Sequence, residues 1–504
     1  MMETGSFRAD SSKLVKYKRA IERKYELERE SRGGCKLEQY DTFDWRLYEK
    51  GLFAYSNSGS FTIGESLAGP PSLACSVGAA VPRFWWEFED PEARVFLQDI
   101  TGVRALLPLA ETLIDQESYS VRNRDGKIVC RLSFLTSNPV DGSRRSYLLV
   151  KPLRGYPVER NRISSLAVKS GMDRVPVPIL EDLLLSSGRQ PGGYSSKLDL
   201  LLGRKMTISE AVVLINRQLL STITSNIQGV VEDYDTEFLH DLRVATRRTR
   251  ACLTQLREAL PTDEARRYGA DFKSVAQRCN ALRDLDVYLL EREHYYDVLP
   301  VHLHKGLDQY FKYVTRKRTR RQREFSAYLE TNAFTSLLRD WEGFLQDPAA
   351  LVNDSPAIEV AGAKIQERFQ RIIKRGRKID DISPNARLHE LRIECKKLRY
   401  LLEFFNSYYP QKKMNALVLH LKEFQDNLGE FNDLTVQQED LGAYLRSSKS
   451  DVNSRLRDAA IGGLLTVLNS SQVAARKEFY RRFAAFDSRE NRALYGELFQ
   501  QRKA

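Results

Sequence analysis

The chain has 504 residues, more than one ordinary domain holds, so we expect two or three domains. The hydrophobic fraction of 42% and the charged fraction of 29% exclude an intrinsically disordered protein. The formal net charge is +12, and residues 201–504 carry most of it, with 50 basic and 41 acidic residues. This excess favours a polyanionic partner: nucleic acid, a phosphate polymer or an anionic membrane.

The six cysteines are scattered, without a Cys-x-x-Cys pair or a spacing that suits zinc, so we predict no metal site and no cofactor. The first residues are highly charged, unlike a secretory signal. No apolar run approaches the roughly 18 residues that span a bilayer. We therefore expect a reduced, cytoplasmic protein without a membrane partner.

Residues 1–200 are predicted to be a mixed α/β domain with many short strands, one of them at Phe84–Phe88. The dipeptide Asp125-Gly126 predicts a hairpin, because it supplies the positive φ angles of a tight turn. An apolar helix is predicted over Ile179–Leu185, between two stretches rich in proline and glycine.

Three segments of this domain resemble the CYTH, or triphosphate-tunnel, family. QYDTFDWRLYEKG (Gln39–Gly51) is similar to the family's YYDT segment, and IERKYEL (Ile21–Leu27) to its first-strand ExExK signature. VRALLPL (Val103–Leu109) is similar to a later strand. The resemblance implies a small antiparallel barrel whose tunnel holds a triphosphate and a divalent metal.

The departures from the CYTH pattern predict a domain without catalysis. Ala20 stands in place of the first signature glutamate, and Leu52–Ser56 replace an arginine-rich strand. Leu109–Thr112 and Leu149–Lys151 replace a second arginine cluster and a late acidic strand. Metal binding needs carboxylate oxygens and a triphosphate needs cations. We therefore interpret residues 1–200 as a degenerate CYTH-like domain, with an active triphosphatase as an alternative.

From Thr207 onward the pattern is helical almost without a break, and prolines mark the helix boundaries. Thr207 and Glu210 form a predicted capping box. We expect residues 201–504 to form antiparallel bundles, the first at about 207–346 and the second at about 356–500.

One stretch occurs twice in the helical part. HDLRVATRRTR, residues 240–250, returns as HELRIECKKLR, residues 389–399, at an offset of 149 residues. Positions 0, 3, 7 and 10 of each copy lie on one helix face, which predicts a stripe of one histidine and several cations. Lys273 and Lys422 share the same offset. This repeat predicts duplicated units of about four helices whose stripes approach a common groove about a pseudo-twofold axis.

The two copies resemble the repeated motif of the CHAD family, the conserved-histidine α-helical domain, over roughly residues 207–500. The resemblance implies two pseudo-symmetric four-helix bundles and a basic central groove that binds inorganic polyphosphate. Proteins of this family are associated with polyphosphate granules. The predicted fold is therefore multidomain: an α+β CYTH-like antiparallel barrel followed by an all-α CHAD domain.

Polyphosphate is ionised along its whole length and has no base to recognise, so its binding calls for repeated cations at helical spacing. Asp284 and Asp433 are interpreted as partners that orient the arginines. The predicted polyphosphate-binding residues are His240, Arg243, Arg247, Arg248, Arg250, Lys273, Arg283, Arg371, Lys374, Arg375, His389, Arg392, Lys396, Lys397, Arg399 and Lys422.

The sequence thus predicts a non-catalytic polyphosphate-binding protein of the cytoplasm, associated with polyphosphate granules. RNA binding by the same cations is an alternative. RNA recognition usually uses exposed aromatic rings, and Tyr400, Phe404 and Phe405 are predicted to be core residues. A second basic run, Arg316–Arg323, is interpreted as a solvated helix surface, with ligand or RNA contact as the alternative.

Overall fold

The structure is a computed structural model that describes residues 5–67, 69–138, 144–447 and 454–500. The chain divides into two compact units, an N-terminal unit of residues 1–195 and a helical unit of residues 196–504. The predicted boundary at residue 200 lies near this division. No helix in the described ranges is long and apolar enough to cross a membrane.

The N-terminal unit is built on an antiparallel sheet. Its strands are β1 (Ser6–Ala9), β2 (Glu26–Asp41), β3 (Phe53–Asn57), β4 (Ser60–Gly64), β5 (Leu73–Ser76), β6 (Leu107–Arg122), β7 (Ile128–Asn138), β8 (Arg145–Pro152) and β9 (Asp173–Arg174). They pair in the order β5-β4-β3-β2-β6-β7-β8-β1-β9. Within the described ranges β5 and β9 do not pair with each other, so the predicted closure into a barrel stays a prediction.

Helices cover parts of this sheet. They are α1 (Ser11–Glu22), α2 (Arg46–Glu49), α3 (Pro91–Thr101), α4 (Pro157–Lys169) and α5 (Ile179–Ser186). Helix α5 confirms the predicted apolar helix. The hairpin is also confirmed: β6 and β7 are joined by a turn in which Gly126 has a φ of 72°. Glycine adopts a positive φ without steric strain, so it is favoured at this position of the turn.

Two predictions in this unit were wrong. Phe84–Phe88 is not a strand; Trp85–Glu87 is a 3-10 helix, because the Glu87 carboxylate accepts hydrogen bonds from the N–H groups of Arg83 and Phe84 and closes a turn. Ile21–Leu27 is not a first strand either, since α1 continues to Glu22 and β2 begins at Glu26. The apolar residue that favours the helix there is Ile21, which is fully buried in the core.

The helical unit consists of eleven α-helices in the described ranges. They are α6 (Ile208–Val231), α7 (Thr236–Gln255), α8 (Thr262–Leu290), α9 (Arg292–Asp297), α10 (His304–Leu329), α11 (Asn332–Gln346), α12 (Ala357–Gly376), α13 (Asn385–Phe404), α14 (Gln411–Ser447), α15 (Ser454–Phe486) and α16 (Arg489–Phe499). Thr207 and Glu210 form the predicted capping box. Pro261, Pro356 and Pro384 stand directly before α8, α12 and α13, which confirms them as helix boundaries.

The helix bounds follow the repeat. Helices α7 and α13 begin and end 149 residues apart, and the starts of α6 and α12 and of α8 and α14 differ by the same offset. Consecutive helices pack in the same way in each half: α6 on α7 and α7 on α8, then α12 on α13 and α13 on α14. The finer prediction, that each half is a four-helix bundle, stays a prediction.

A short backbone bridge joins equivalent points of the two halves. Thr207 and Pro356, which are 149 residues apart, form an isolated antiparallel bridge. The N–H of Ile208 donates to the Ser355 carbonyl at 2.8 Å. The N–H of Ala357 donates to the Met206 carbonyl at 3.0 Å. The donors of the two bonds are 149 residues apart, and so are the acceptors. The two bonds are therefore related by a local twofold axis that passes through this bridge.

The apolar side of each repeat helix is buried, as predicted. These buried residues are Leu242, Leu253, Leu256, Leu391, Leu398, Leu402 and Phe405. Burying one such side chain contributes about 1.5–3 kcal/mol to the free energy of unfolding. The burial fixes the rotation of α7 and α13, and thereby the direction of their polar faces.

Candidate functional site

Helices α7 and α13 each carry one copy of the repeat, and they contact one another within the helical unit. Asp235 starts α7 by accepting hydrogen bonds from the N–H groups of Glu237 and Phe238, at 2.9 and 3.3 Å. Pro384 stands before the first turn of α13, where a helix loses no hydrogen bond to proline. With their leucine faces buried, both helices direct their cations away from the core.

Five stripe residues form what we call the central cation cluster. Its members are Arg243, Arg247 and Arg250 of α7 and Arg392 and Lys396 of α13, all half-buried. Burial lowers the pKa of Arg243 and that of Arg250, and the Arg247 cation lowers both further. Burial also lowers the pKa of Arg392; Asp433 opposes that shift and Arg247 adds to it. Arg247 therefore lies within electrostatic reach of cations from both repeats.

Lys396 is the clearest sign of this crowding. Burial is the main cause that lowers its pKa, to about 7. The cations of Arg247, Arg392 and Arg243 add to the lowering, and Asp433 opposes it. The Lys396 ammonium therefore loses its proton far more easily than an ordinary lysine. A bound anion would favour the charged form.

Side chains of α8 and α14 hold two of these arginines in place. The Nε of Arg243 donates to the Asn280 side-chain carbonyl at 2.7 Å. A guanidinium N–H of Arg392 donates to the Asp433 carboxylate at 3.2 Å. Asp433 thus contacts an arginine as predicted. Asp284, its equivalent in the first half, lies within electrostatic reach of Arg243.

Other predicted cations are turned towards carboxylates. Arg248 donates from two nitrogens to one oxygen of Glu403, at 3.1 and 2.9 Å, and also to the Ser196 carbonyl. Arg399 donates to the other Glu403 oxygen at 2.8 Å. Lys397 pairs with Glu394 at 3.0 Å. These three cations are therefore ion-paired within the helical unit, with Glu403 shared by Arg248 and Arg399.

The predicted sites on α8 and α12 show the same pattern. Arg283 pairs with Glu237 at 3.4 Å and donates to the Thr236 carbonyl, with only 12% of its side chain exposed. Arg371 pairs with Glu367. Arg375 lies 3.6 Å from Glu390 and 4.0 Å from Glu394. Lys374 is exposed.

Lys273 and Lys422 are exposed on α8 and α14. Lys273 is about 10 Å along α8 from Asn280, the partner of Arg243. Because Arg283 contacts the start of α7 and Asn280 contacts Arg243 further on, α7 and α8 run antiparallel. Lys273 therefore lies on the side of the central cation cluster that Arg250 occupies.

The two repeated histidines have different surroundings. His240 is half-buried, burial lowers its pKa, and its Nδ1 has no hydrogen-bond partner among the described residues. His389 is exposed, and its Nδ1 lies 2.5 Å from the Asn432 side-chain oxygen. Asn432 stands where the first copy has Arg283, which accounts for part of this difference.

Sequence reasoning missed Tyr400. Its spacing from Phe404 is typical of a core pair, and Phe404 is indeed buried. Tyr400 is only half-buried, and its phenol lies within electrostatic reach of Arg243 and Arg392, one from each repeat. The equivalent residue in the first copy is Ala251, so the repeat carries no signal for this position.

In the N-terminal unit, several charged residues on and near the sheet pair with one another or hold a helix start. Asp41 of the Gln39–Gly51 segment accepts hydrogen bonds from the N–H groups of Leu47 and Tyr48 at 3.0 and 2.9 Å and caps α2. Lys36 on β2 lies between Glu38 and Glu111, at 2.7 and 3.0 Å. Similar pairs join Lys18 to Glu117, Arg122 to Glu28 and Arg131 to Glu30.

The helical unit is an internally duplicated all-α domain. Its two touching helices α7 and α13 each carry a cation stripe, and together these stripes form a candidate anion-binding site. Residues 215–442 match the family model of the CHAD domain, and this part of the chain is a CHAD domain. The match does not reach the N-terminal unit, so the CYTH-like assignment stays a prediction.

Two solved structures are similar to this chain. The first is the crystal structure of the CHAD domain from the plant Ricinus communis, with 22% identity, 61% of this chain and 97% of that chain covered, and a TM-score of 0.46. The second is PptA from Streptomyces chartreusis, with 16% identity and a TM-score of 0.45; the match covers 55% of this chain and 99% of that chain. No curated protein matches the chain.

Proposed function

We propose that the helical unit binds inorganic polyphosphate, without chemical conversion, at the central cation cluster. The observation that carries this proposal is the lack of internal neutralisation. Among the described residues, no carboxylate forms an ion pair with Arg247, Arg250 or Lys396, whereas Arg248, Lys397 and Arg399 on the same helices are paired. Like charges that are half-buried without partners repel one another. A dense polyanion removes that repulsion.

The chemistry of polyphosphate fits this arrangement. Arg243 and Arg250 are about 10 Å apart along α7, and α13 supplies a second row beside them. Two adjacent rows offer cations to a linear chain of phosphates from both sides. Guanidinium groups bind phosphate oxygens through paired hydrogen bonds, so a ligand made only of phosphates uses every arginine of the cluster.

Among the remaining predicted residues, we assign peripheral phosphate contacts to Lys273, Lys422 and Lys374, because these side chains are exposed and not ion-paired in the described part of the chain. We assign Arg248 a structural role, since two hydrogen bonds hold it on Glu403. Association with cytoplasmic polyphosphate granules would follow from polyphosphate binding and belongs to the same proposal.

RNA binding at the same cluster is the second candidate, and Tyr400 is the observation that favours it. A half-buried phenol ring among arginines could contact a base. A single ring on one helix is a small stacking surface compared with five cations, so we rank polyphosphate first.

We also propose that the N-terminal unit is not an enzyme. A triphosphate tunnel needs cations and carboxylates that are free for phosphate and metal. On β2 and β6 these charges pair with each other, as Lys36 does with Glu38 and Glu111. Metal-dependent phosphate release from inorganic triphosphate by the full chain, measured with Mg²⁺ and Mn²⁺, would contradict this.

Competition binding tests the main proposal. Labelled polyphosphate bound to the full chain would be displaced with unlabelled polyphosphate or with an unlabelled single-stranded RNA of matched charge, at several salt concentrations. We expect polyphosphate to displace the label at a lower concentration than RNA at every salt concentration. Displacement by both at equal concentrations would overturn the proposal.

A cluster variant locates the site. Arg243, Arg247, Arg392 and Lys396 would all be changed to Gln, and we expect polyphosphate binding to be lost. The matched control changes Arg124, Lys127, Arg162 and Lys169 to Gln; these residues are exposed on the N-terminal unit. The control therefore loses the same number of positive charges at a place outside the proposed site. An equal loss of polyphosphate affinity in both variants would mean that net charge alone determines binding, and it would contradict the assigned site.

A further inference from the structure

Helix α10 carries a row of exposed cations that the central cation cluster does not include. Lys312, Arg316, Arg320 and Arg323 are exposed, and their spacings of four, four and three residues place them on one face of the helix. We call these four residues the α10 row. Successive members are about 6 Å apart along the helix axis, and the whole row is about 16 Å long.

The α10 row makes few ion pairs, and the Nε of Arg316 donates a hydrogen bond to the Lys312 carbonyl at 3.2 Å. In the described part of the chain, Lys312, Arg316 and Arg323 form no ion pair with a carboxylate, and Arg320 lies 3.7 Å from Glu324. The inner cation of this run behaves differently. Arg318 pairs with Asp233 and with buried Asp286 and ties α10 to the rest of the fold. Arg318 therefore holds α10 in the fold, and the exposed cations of the α10 row remain available for a ligand.

The second half of the repeat shows that the fold does not require this row. Helix α15 is the counterpart of α10 at an offset of 150 residues, as its buried positions show: Tyr310, Val314 and Phe325 in α10 correspond to Ala460, Leu464 and Ala475 in α15. At the positions of the α10 row, α15 has Gly462, Thr466, Ser470 and Val473. The four cations of the α10 row thus have no charged counterparts at the equivalent positions of α15.

An aromatic ring accompanies the row. Tyr313 is 37% exposed, and the Lys317 ammonium lies 5.6 Å from its ring centroid. The ring also contacts Tyr444 of α14 in a tilted arrangement, with the ring centroids 4.8 Å apart and an interplanar angle of 38°. Tyr313 lies next to Arg316 and Arg320 on the helix surface, so the ring and the cations share one face.

We propose that this face of α10 is a binding surface for single-stranded nucleic acid, separate from the polyphosphate site. The α10 row would contact the phosphates, and Tyr313 would stack against a base. Phosphates separated by sugars suit a single row of cations with wide spacing, and aromatic stacking is what distinguishes a base from a bare phosphate. A lipid surface would need exposed aliphatic side chains beside the cations. Among the described residues of α10, the large exposed apolar side chain is Tyr313.

The test uses the full chain and a labelled single-stranded RNA without secondary structure. In one variant Lys312, Arg316, Arg320 and Arg323 are changed to Gln, which keeps helix propensity. We expect at least a tenfold loss of RNA affinity. The slope of log affinity against log salt should become shallower by about 3, as four phosphate contacts predict for a single strand. Circular dichroism checks that the variant is folded.

A second variant, Tyr313→Leu, tests stacking, and we expect at least a fivefold loss of RNA affinity with an unchanged salt slope. The control with Arg124, Lys127, Arg162 and Lys169 changed to Gln should keep RNA binding. Unchanged RNA affinity in the α10 variant, or equal loss in the control, would overturn the proposal. Unchanged affinity in Tyr313→Leu would overturn the stacking assignment and with it the preference for nucleic acid.

Two further ligands separate this proposal from its rivals. Polyphosphate affinity should be unchanged in the α10 variant, and loss of polyphosphate instead of RNA would make α10 part of the polyphosphate site. Loss of binding to phosphatidylserine vesicles instead of RNA would make it a membrane surface. If the wild type binds RNA through α10 but no polyphosphate, the proposed function fails and this inference stands.

Discussion

Arg247 and Lys396 occupy equivalent positions of the two repeats, 149 residues apart, and lie close enough to repel each other electrostatically. After burial, the Arg247 cation is the main cause that lowers the pKa of Lys396 to about 7. A cation of one repeat thus contributes to the lowered pKa of a lysine in the other. This relationship turns two separate stripes into one candidate site.

Polyphosphate affinity should depend on pH through Lys396. Below about pH 7 the free protein already carries the proton, so affinity is highest there. Above pH 7 the bound form still favours the charged lysine, so binding takes up a proton, and affinity falls by up to about tenfold per pH unit. In Lys396→Arg the charge is permanent and this fall should disappear. Calorimetry in buffers of different ionisation enthalpy, at constant ionic strength, measures the proton uptake; equal uptake by both proteins would contradict the prediction.

Neighbouring arginines on α7 should differ in their roles. Arg247→Gln removes an unpaired cluster cation, and we expect a loss of polyphosphate affinity of about 10- to 100-fold with little change in the free energy of unfolding. Arg248→Gln breaks the contacts with Glu403 and should lower the free energy of unfolding by about 1–3 kcal/mol while affinity changes less than about twofold. Affinity titration and urea unfolding of both variants check this. A loss of affinity in Arg248→Gln together with a loss of stability in Arg247→Gln would mean that Arg248 binds the ligand and Arg247 is structural.

His240 should make the stability of the helical unit sensitive to acid. Burial lowers its pKa in the folded state. The group therefore contributes stability above its unfolded pKa of about 6.5, and this contribution is lost as pH falls towards the folded pKa. We expect wild type to lose more stability than His240→Gln between pH 7 and pH 5. His389→Gln, at the exposed equivalent, is the control and should behave like wild type in urea unfolding across this range.

Two helical glycines should respond in opposite ways to alanine. A Cβ at Gly229 would lie 2.0 Å from the ring of Phe238, so Gly229→Ala should lower the free energy of unfolding by about 1–3 kcal/mol. No atom lies within 4 Å of a Cβ at Gly429 in the middle of α14. Gly429→Ala should therefore raise the free energy of unfolding by about 0.5–1 kcal/mol. Stabilisation by both substitutions would contradict the packing of α6 on α7.

The sequence predicts the parts of the fold that depend on local periodicity. The stripes, their buried leucine faces and the proline boundaries all follow from spacing along one helix, and the offset of 149 residues relates the two halves. Pairing across helices could not be predicted in the same way. Arg248 and Arg247 look alike in sequence, but Glu403 on α13 pairs with Arg248 and not with Arg247, and that contact depends on how the two helices pack.

The same reasoning accounts for the errors. Tyr400 has core-like spacing, yet it faces cations because it lies at the contact of α7 and α13. The ion pair of Arg283 with Glu237 on the neighbouring helix could not be predicted from spacing either, and ligand contact by Arg283 stays a prediction. In the N-terminal unit, aromatic residues suggested a strand at Phe84–Phe88, and a side-chain turn at Glu87 prevented it.

The central claim is that cations of both repeats bind one polyphosphate chain. Isothermal titration calorimetry with a short polyphosphate of defined length, against wild type, Arg247→Gln and Arg392→Gln, tests it most directly. We expect one bound polyphosphate per protein in wild type, and a weaker affinity for that one site in each variant. Two sites per protein, each lost in only one of the variants, would show that the repeats bind polyphosphate separately and would contradict a shared site.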